Sequence, residues 1–107
     1  CLFTSFALGA DDYAAFLKAA TGFDYDANSI LQAGDRIWNI ERMFNLREGL
    51  DLKEDTLPER LLKDPIPDGP SKGMVSRLPE MLPEYYKIRG WDEKGLPTAA
   101  KLQELGL

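Results

Sequence analysis

Histidine is absent from this 107-residue chain, and cysteine occurs once, as Cys1. The first absence removes the commonest general base and the commonest metal ligand. The second excludes an internal disulfide framework and a complete thiolate metal site. Positive charge is scarce: 13 Lys and Arg stand against 18 Asp and Glu, for a net charge of −5 and a pI near 4.7. Phosphate backbones call for a basic face that releases counterions, so nucleic acid is excluded as a partner. No run approaches the roughly 18 apolar residues of a membrane span, and no Lys/Arg-rich amphipathic stretch suggests a membrane surface. Repeats and period-two strand patterns are also missing. What remains is ordinary for a globular domain, with 44% apolar and 29% charged residues. A chain of this length is expected to bury about two-thirds of its unfolded surface, enough for one compact core.

Helical periodicity accounts for most of the chain. Residues 1–10 are apolar without a helical pattern, and are expected to lie against something. Asp11 then reads as an N-cap, with Tyr13, Phe16, Leu17 and Ala20 at helical spacing and Gly22 at the stop. Asp26 caps the next helix. Ile30, Ala33, Ile37, Ile40 and Phe44 mark its stripe, widened by Leu31, Trp38 and Met43, and Gly49 ends it. That pattern makes this helix central and puts Asp35, Arg36, Asn39, Glu41 and Arg42 on the solvent face. Thr56 and Glu59 have capping-box spacing around Pro58, starting a short helix through Leu62. Three prolines between Asp64 and Pro70 make 63–77 a long connector expected to wrap over the core. Pro79 opens a fourth helix whose regular part is expected only from Pro83, with Gly90 as its stop and Trp91 packing back on Tyr86. A last helix spans 98–105, and Gly106-Leu107 repeats that ending. The fold class is all-α, an irregular bundle of about five helices with a long Pro-rich connector.

Most polar clusters have structural explanations. Asp11 with Asp12, and Glu54 with Asp55, sit where helix N-termini favour negative charge. Arg36, Arg42, Arg47 and Arg60 alternate with Asp35, Glu41, Glu48 and Glu59, a pattern of internal ion pairs. Trp38, Tyr85, Tyr86 and Trp91 lie at core spacing. Gly69 and Gly73 lack the preceding strand and following helix of a phosphate loop. No residue here qualifies as catalytic. Cys1 alone carries distinctive chemistry, and its alternatives stay open on residues alone. They are a buried small hydrophobe, an N-terminal nucleophile, a lipidated start, or one ligand of a metal or iron–sulfur site completed elsewhere. A start at Cys1, without initiator Met or basic n-region, raises the expectation of truncation or processing upstream.

Several longer segments agree with one family. Gly34-Asp-Arg-Ile-Trp-Asn-Ile-Glu-Arg-Met-Phe-Asn-Leu-Arg-Glu-Gly49 precedes Asp55-Thr-Leu-Pro-Glu-Arg-Leu-Leu62. Tyr85-Tyr86, Arg89-Gly90-Trp91-Asp92 and Lys101-Leu-Gln-Glu-Leu-Gly-Leu107 follow in order. Together they resemble the C-terminal helical region of tungsten-containing aldehyde ferredoxin oxidoreductases. The resemblance implies that residues 1–107 form one C-terminal helical domain of a larger cytoplasmic oxidoreductase, with 1–10 as an interface segment at the cofactor site. It implies that Cys1 is the last of four ligands to a [4Fe–4S] cluster beside a tungsten-bis-pterin. Phe3 suits the family pattern, whereas Leu2 stands where a basic residue is commoner. The parent would oxidise aldehydes to carboxylic acids and pass electrons through the cluster to ferredoxin. Upstream domains of the same chain are the implied partners. The piece alone would be inactive, hold no cofactor and self-associate through its apolar opening. The alternative from another class is a stand-alone helical interaction module with Cys1 buried as a structural residue.

Overall fold

The computed structural model describes residues 2–107, so Cys1 lies outside the described residues. Helical structure takes up 61% of the chain, and no strand occurs among the described residues, as an all-α class requires. The helices are α1 (Ala10–Thr21), α2 (Ala27–Arg47), α3 (Glu59–Lys63), α4 (Leu78–Arg89) and α5 (Ala99–Leu105), with 3-10 turns at Leu2–Phe6 and Leu52–Glu54.

Local chemistry sets the ends of these helices. The cap of α1 is Gly9 and not Asp11: the Gly9 N–H donates to the Asp12 carboxylate at 2.8 Å, which leaves Asp11 and Asp12 in the first turn. Carboxylates there also complement the helix dipole. Asp26 caps α2 as expected, accepting from the Ser29 N–H at 2.7 Å while the Ser29 hydroxyl accepts from the Asp26 N–H at 2.8 Å. The box expected of Thr56 and Glu59 does not form, because Pro58 holds the cap position of α3 and Glu59 is already helical. Helix α4 is regular from Leu78 and runs through Pro83, so one missing N–H does not delay its start. Gly22, Gly90 and Gly106 end α1, α4 and α5 in the left-handed region. At the α4 end the Trp91 N–H reaches the Tyr86 carbonyl at 2.9 Å, and the two rings stand 6.0 Å apart.

Tertiary packing departs from the expected single core. Helix α2 is central, with α1 and α5 packed on it. Yet the buried hydrophobic residues among those described are Ala14, Tyr86, Trp91 and Leu105. Phe16 and Leu17 of α1, Ile37, Ile40 and Phe44 of α2, and Met81 and Ile88 of α4 are all exposed. The chain exposes 8492 Å², about 2,500 Å² more than the roughly 6,000 Å² expected of a free-standing folded chain of its mass. Its radius of gyration is 17.8 Å, against about 13 Å for a compact domain of this length. Residues 64–77 close on themselves and on α3 instead of wrapping the core. The Ile66 N–H donates to the Met74 carbonyl, the Gly73 N–H to Ile66, and the Ser76 N–H to Leu61.

Candidate functional site

The buried face of α2 is its polar one. Asn39 is fully buried and Arg42 nearly so, although helical periodicity put both on the solvent side. Burying such groups is costly unless every donor and acceptor is met. Arg42 meets that condition with a fork onto Asp55: Nη1 lies 2.8 Å from Oδ1 and Nη2 pairs with Oδ2. Its Nε–H donates to the Gly95 carbonyl at 3.0 Å, and its guanidinium stands 4.8 Å from the Trp91 ring centre. Tyr86 donates its hydroxyl to the same Asp55 carboxylate at 2.5 Å. Asn39 donates to the Asp35 carbonyl at 2.9 Å and accepts from the Trp91 indole at 2.8 Å. No buried side-chain polar atom among the described residues lacks a partner.

Electrostatics follow from this geometry. The Arg42 hydrogen bonds hold the Asp55 carboxyl below its ordinary range, and Asp55 in turn raises Arg42. Burial, then the bond to Asp55, pushes the Tyr86 phenol up to about 12. The residues 91–98 that carry Trp91 and Gly95 form a tight turn. Asp92 accepts from the N–H groups of Lys94 and Leu96 at 2.8 and 2.9 Å, and Thr98 bonds back to the Gly90 carbonyl. Gly95 has φ +79°, and a Cβ there would stand 2.7 Å from both the Arg42 Nη2 and the Tyr86 ring. Only glycine meets both demands at that point.

A second ring of polar contacts surrounds the seam. Asp35 pairs with Arg89 at 3.2 Å and Lys101 at 2.8 Å, and Arg36 donates to the Leu105 carbonyl. The ion pairs expected within runs of alternating charge therefore form mostly with distant partners. Arg47 with Glu48, at 3.2 Å, is a neighbouring pair, and Glu59 takes Lys63 at 2.7 Å. Asp55 is no helix-dipole carboxylate; it is the hub of the seam. Nothing in its local pattern announced that, because its partners lie 13 and 31 residues away. Trp38 reaches the Tyr85 hydroxyl at 2.8 Å along the rim of an open cavity of about 380 Å³ above Asp55.

The predicted site residue, Cys1, lies outside the described residues, and its neighbours are turned outward. Leu2, Phe3 and Phe6 of the first 3-10 turn are each more than three-quarters exposed, and the Thr4 and Tyr13 hydroxyls meet at 2.5 Å. Among the described residues no three His, Cys, Asp or Glu side chains gather as a metal site. The polar seam has its charges paired and its donors used, so it is built to hold α2 against 91–98 and α4. Among the described residues, no helix is long and apolar enough to cross a membrane.

Comparison with known proteins bears on what the outward faces meet. The family model described as aldehyde ferredoxin oxidoreductase, domains 2 and 3, matches residues 1–107. The tungsten-containing aldehyde ferredoxin oxidoreductases of Pyrococcus abyssi and Pyrococcus horikoshii are 62% and 60% identical to the chain over its whole length. A WOR-like subunit of an aliphatic sulfonate oxidoreductase from Pyrococcus furiosus is 32% identical over 92% of the chain. The chain spans 18% of the first two relatives and 17% of the third.

Proposed function

The chain belongs to the aldehyde ferredoxin oxidoreductase family, and from that premise we propose that it is the C-terminal helical domain of a larger cytoplasmic tungsten enzyme. Residues 1–107 act as one unit, 63–77 as a Pro-rich connector within it, and 1–10 as the segment that meets the cofactor site. Cys1 supplies one thiolate to a [4Fe–4S] cluster whose other three ligands lie upstream. The donor set fits that role and no larger one, since the sequence holds one thiolate and no imidazole while such a cluster takes four cysteines. When bound in the parent, the tungsten-pterin and cluster supply the oxidation of an aldehyde to an acid and the electron path to ferredoxin.

The chain's own residues contribute position and dryness. Leu2, Phe3 and Phe6 present apolar surface directly after Cys1, and apolar walls that limit solvent tune the potential of a thiolate-bound cluster. By itself the piece is inactive, because the remaining ligands and the substrate pocket belong to the upstream domains. The observation that carries the proposal is the family match across every residue, joined to an opening segment that finds no core within this chain.

Replacing Cys1 with Ala in the full-length parent tests it. The helices should fold unchanged, because their caps begin at Gly9. Iron content should fall below four per cluster, the EPR signal of the reduced cluster should change or vanish, and turnover with ferredoxin should collapse. A variant that keeps its irons, its EPR signal and its turnover would make Cys1 ordinary packing.

A further inference from the structure

Apolar surface on α2 is arranged as a face and not as scattered residues. Ile37, Ile40 and Phe44 run along the side opposite Asn39 and Arg42, and each is at least half exposed. Beside them α2 and α5 enclose a groove of about 480 Å³, lined by Ile40, Met43, Phe44, Leu102 and Leu107, with Arg47 as its one charged wall. Exposed apolar patches on free monomers seldom exceed a few hundred Å². The total surface of the chain also exceeds that of a compact stand-alone chain of this mass by about 2,500 Å², the order of area that obligate interfaces bury.

We propose that the Ile37–Phe44 face of α2 and the adjoining α2/α5 groove form the seam with the polypeptide that precedes Cys1 in the parent enzyme. This rests on the reading that the chain is one part of such a parent. The relatives extend well beyond the region this chain matches, which covers 18% of their length, so a covalently joined occupant of sufficient size exists in the family. Burial by the same polypeptide also suits the composition of the face. Its groove is lined by apolar side chains with one charged residue, Arg47, which pairs with the adjacent Glu48. The groove would take apolar side chains from that occupant, and the Arg42–Asp55 seam on the far side of α2 would stay inside this domain.

Site-specific thiol labelling of the full-length parent tests the assignment. Ile37→Cys and Ile40→Cys should react with a maleimide about 100-fold more slowly than Lys72→Cys in the exposed connector, since labelling must await local opening. Hydroxyl-radical footprinting of the unaltered parent gives a second measure, in which Met43 and Phe44 should be protected relative to the unfolded protein. Labelling at the connector's rate, or unprotected Met43 and Phe44, would overturn the proposal. Protection that disappears on dilution would also overturn it, because the occupant would then be a second copy. These readouts do not depend on Cys1. Protection of the face together with an iron-replete Cys1→Ala variant would retire the cluster ligand and leave the seam standing.

Discussion

One face of α2 carries Asp35, Asn39 and Arg42 and is turned inward; the other carries Ile37, Ile40 and Phe44 and lies open. Periodicity alone assigns these faces the other way round. A hydrophobic stripe states that a helix has an apolar neighbour, and within a free-standing domain that neighbour is the core. Here the domain's internal contacts are made on the polar side, by a guanidinium, a carboxylate, a phenol, an amide and an indole that satisfy one another. The apolar side remains for a different partner. A chain whose polar face is sealed and whose oily face is bare has the surface pattern of an internal part.

Breaking the polar seam should have the largest effect. Arg42→Ala leaves the partly buried Asp55 without its counter-charge and should destabilise the domain by about 2–3 kcal/mol, read from denaturant unfolding. Arg42→Met combined with Asp55→Leu should recover part of that loss. If the double variant is no better than Arg42→Ala, the pair does not act as a unit.

Tyr86 sharpens the comparison through pH. Its folded pKa lies above the unfolded value, so its stabilising contribution is complete below pH 10 and is lost as pH rises towards about 12. Asp55 is displaced in the opposite direction, so its contribution holds above about pH 4 and is lost as pH falls through its lowered folded value. Stability measured against pH should thus decline at both ends. Tyr86→Phe should remove the alkaline decline, and an unchanged alkaline limb in that variant would assign the effect to other groups.

The smallest effect belongs to the apolar face. Ile37→Ala should cost the isolated chain no more than about 0.5 kcal/mol, as expected of an exposed position. In the full-length parent the same change should cost about 2 kcal/mol or more if the face is buried there. Equal losses in the two settings would mean that nothing covers α2.

The number of helices, most of their ends and the all-α class were legible in the residues. Asp26 caps α2 through its own carboxylate, and Gly22, Gly90 and Gly106 end helices because glycine adopts positive φ without a Cβ penalty. The Tyr86–Trp91 contact was legible for the same reason, being five residues long and dictated by the helix ending. The caps at Gly9 and Pro58 were not: the Asp12 side chain reaches back to Gly9, and Pro58 begins α3 with no side-chain cap at all. The candidate ligand Cys1 was legible as chemistry and rests on family resemblance for its role. The seam was invisible because each of its bonds joins residues far apart: Arg42 to Gly95 across 53 positions, Asn39 to Trp91 across 52. By itself the sequence determined where the chain turns helical and where it stops, since those choices depend on groups within one turn of each other. Which face of α2 points inward was decided only in three dimensions. A stripe specifies that something must cover it, whereas a buried guanidinium is tolerable only where the fold delivers its carboxylate.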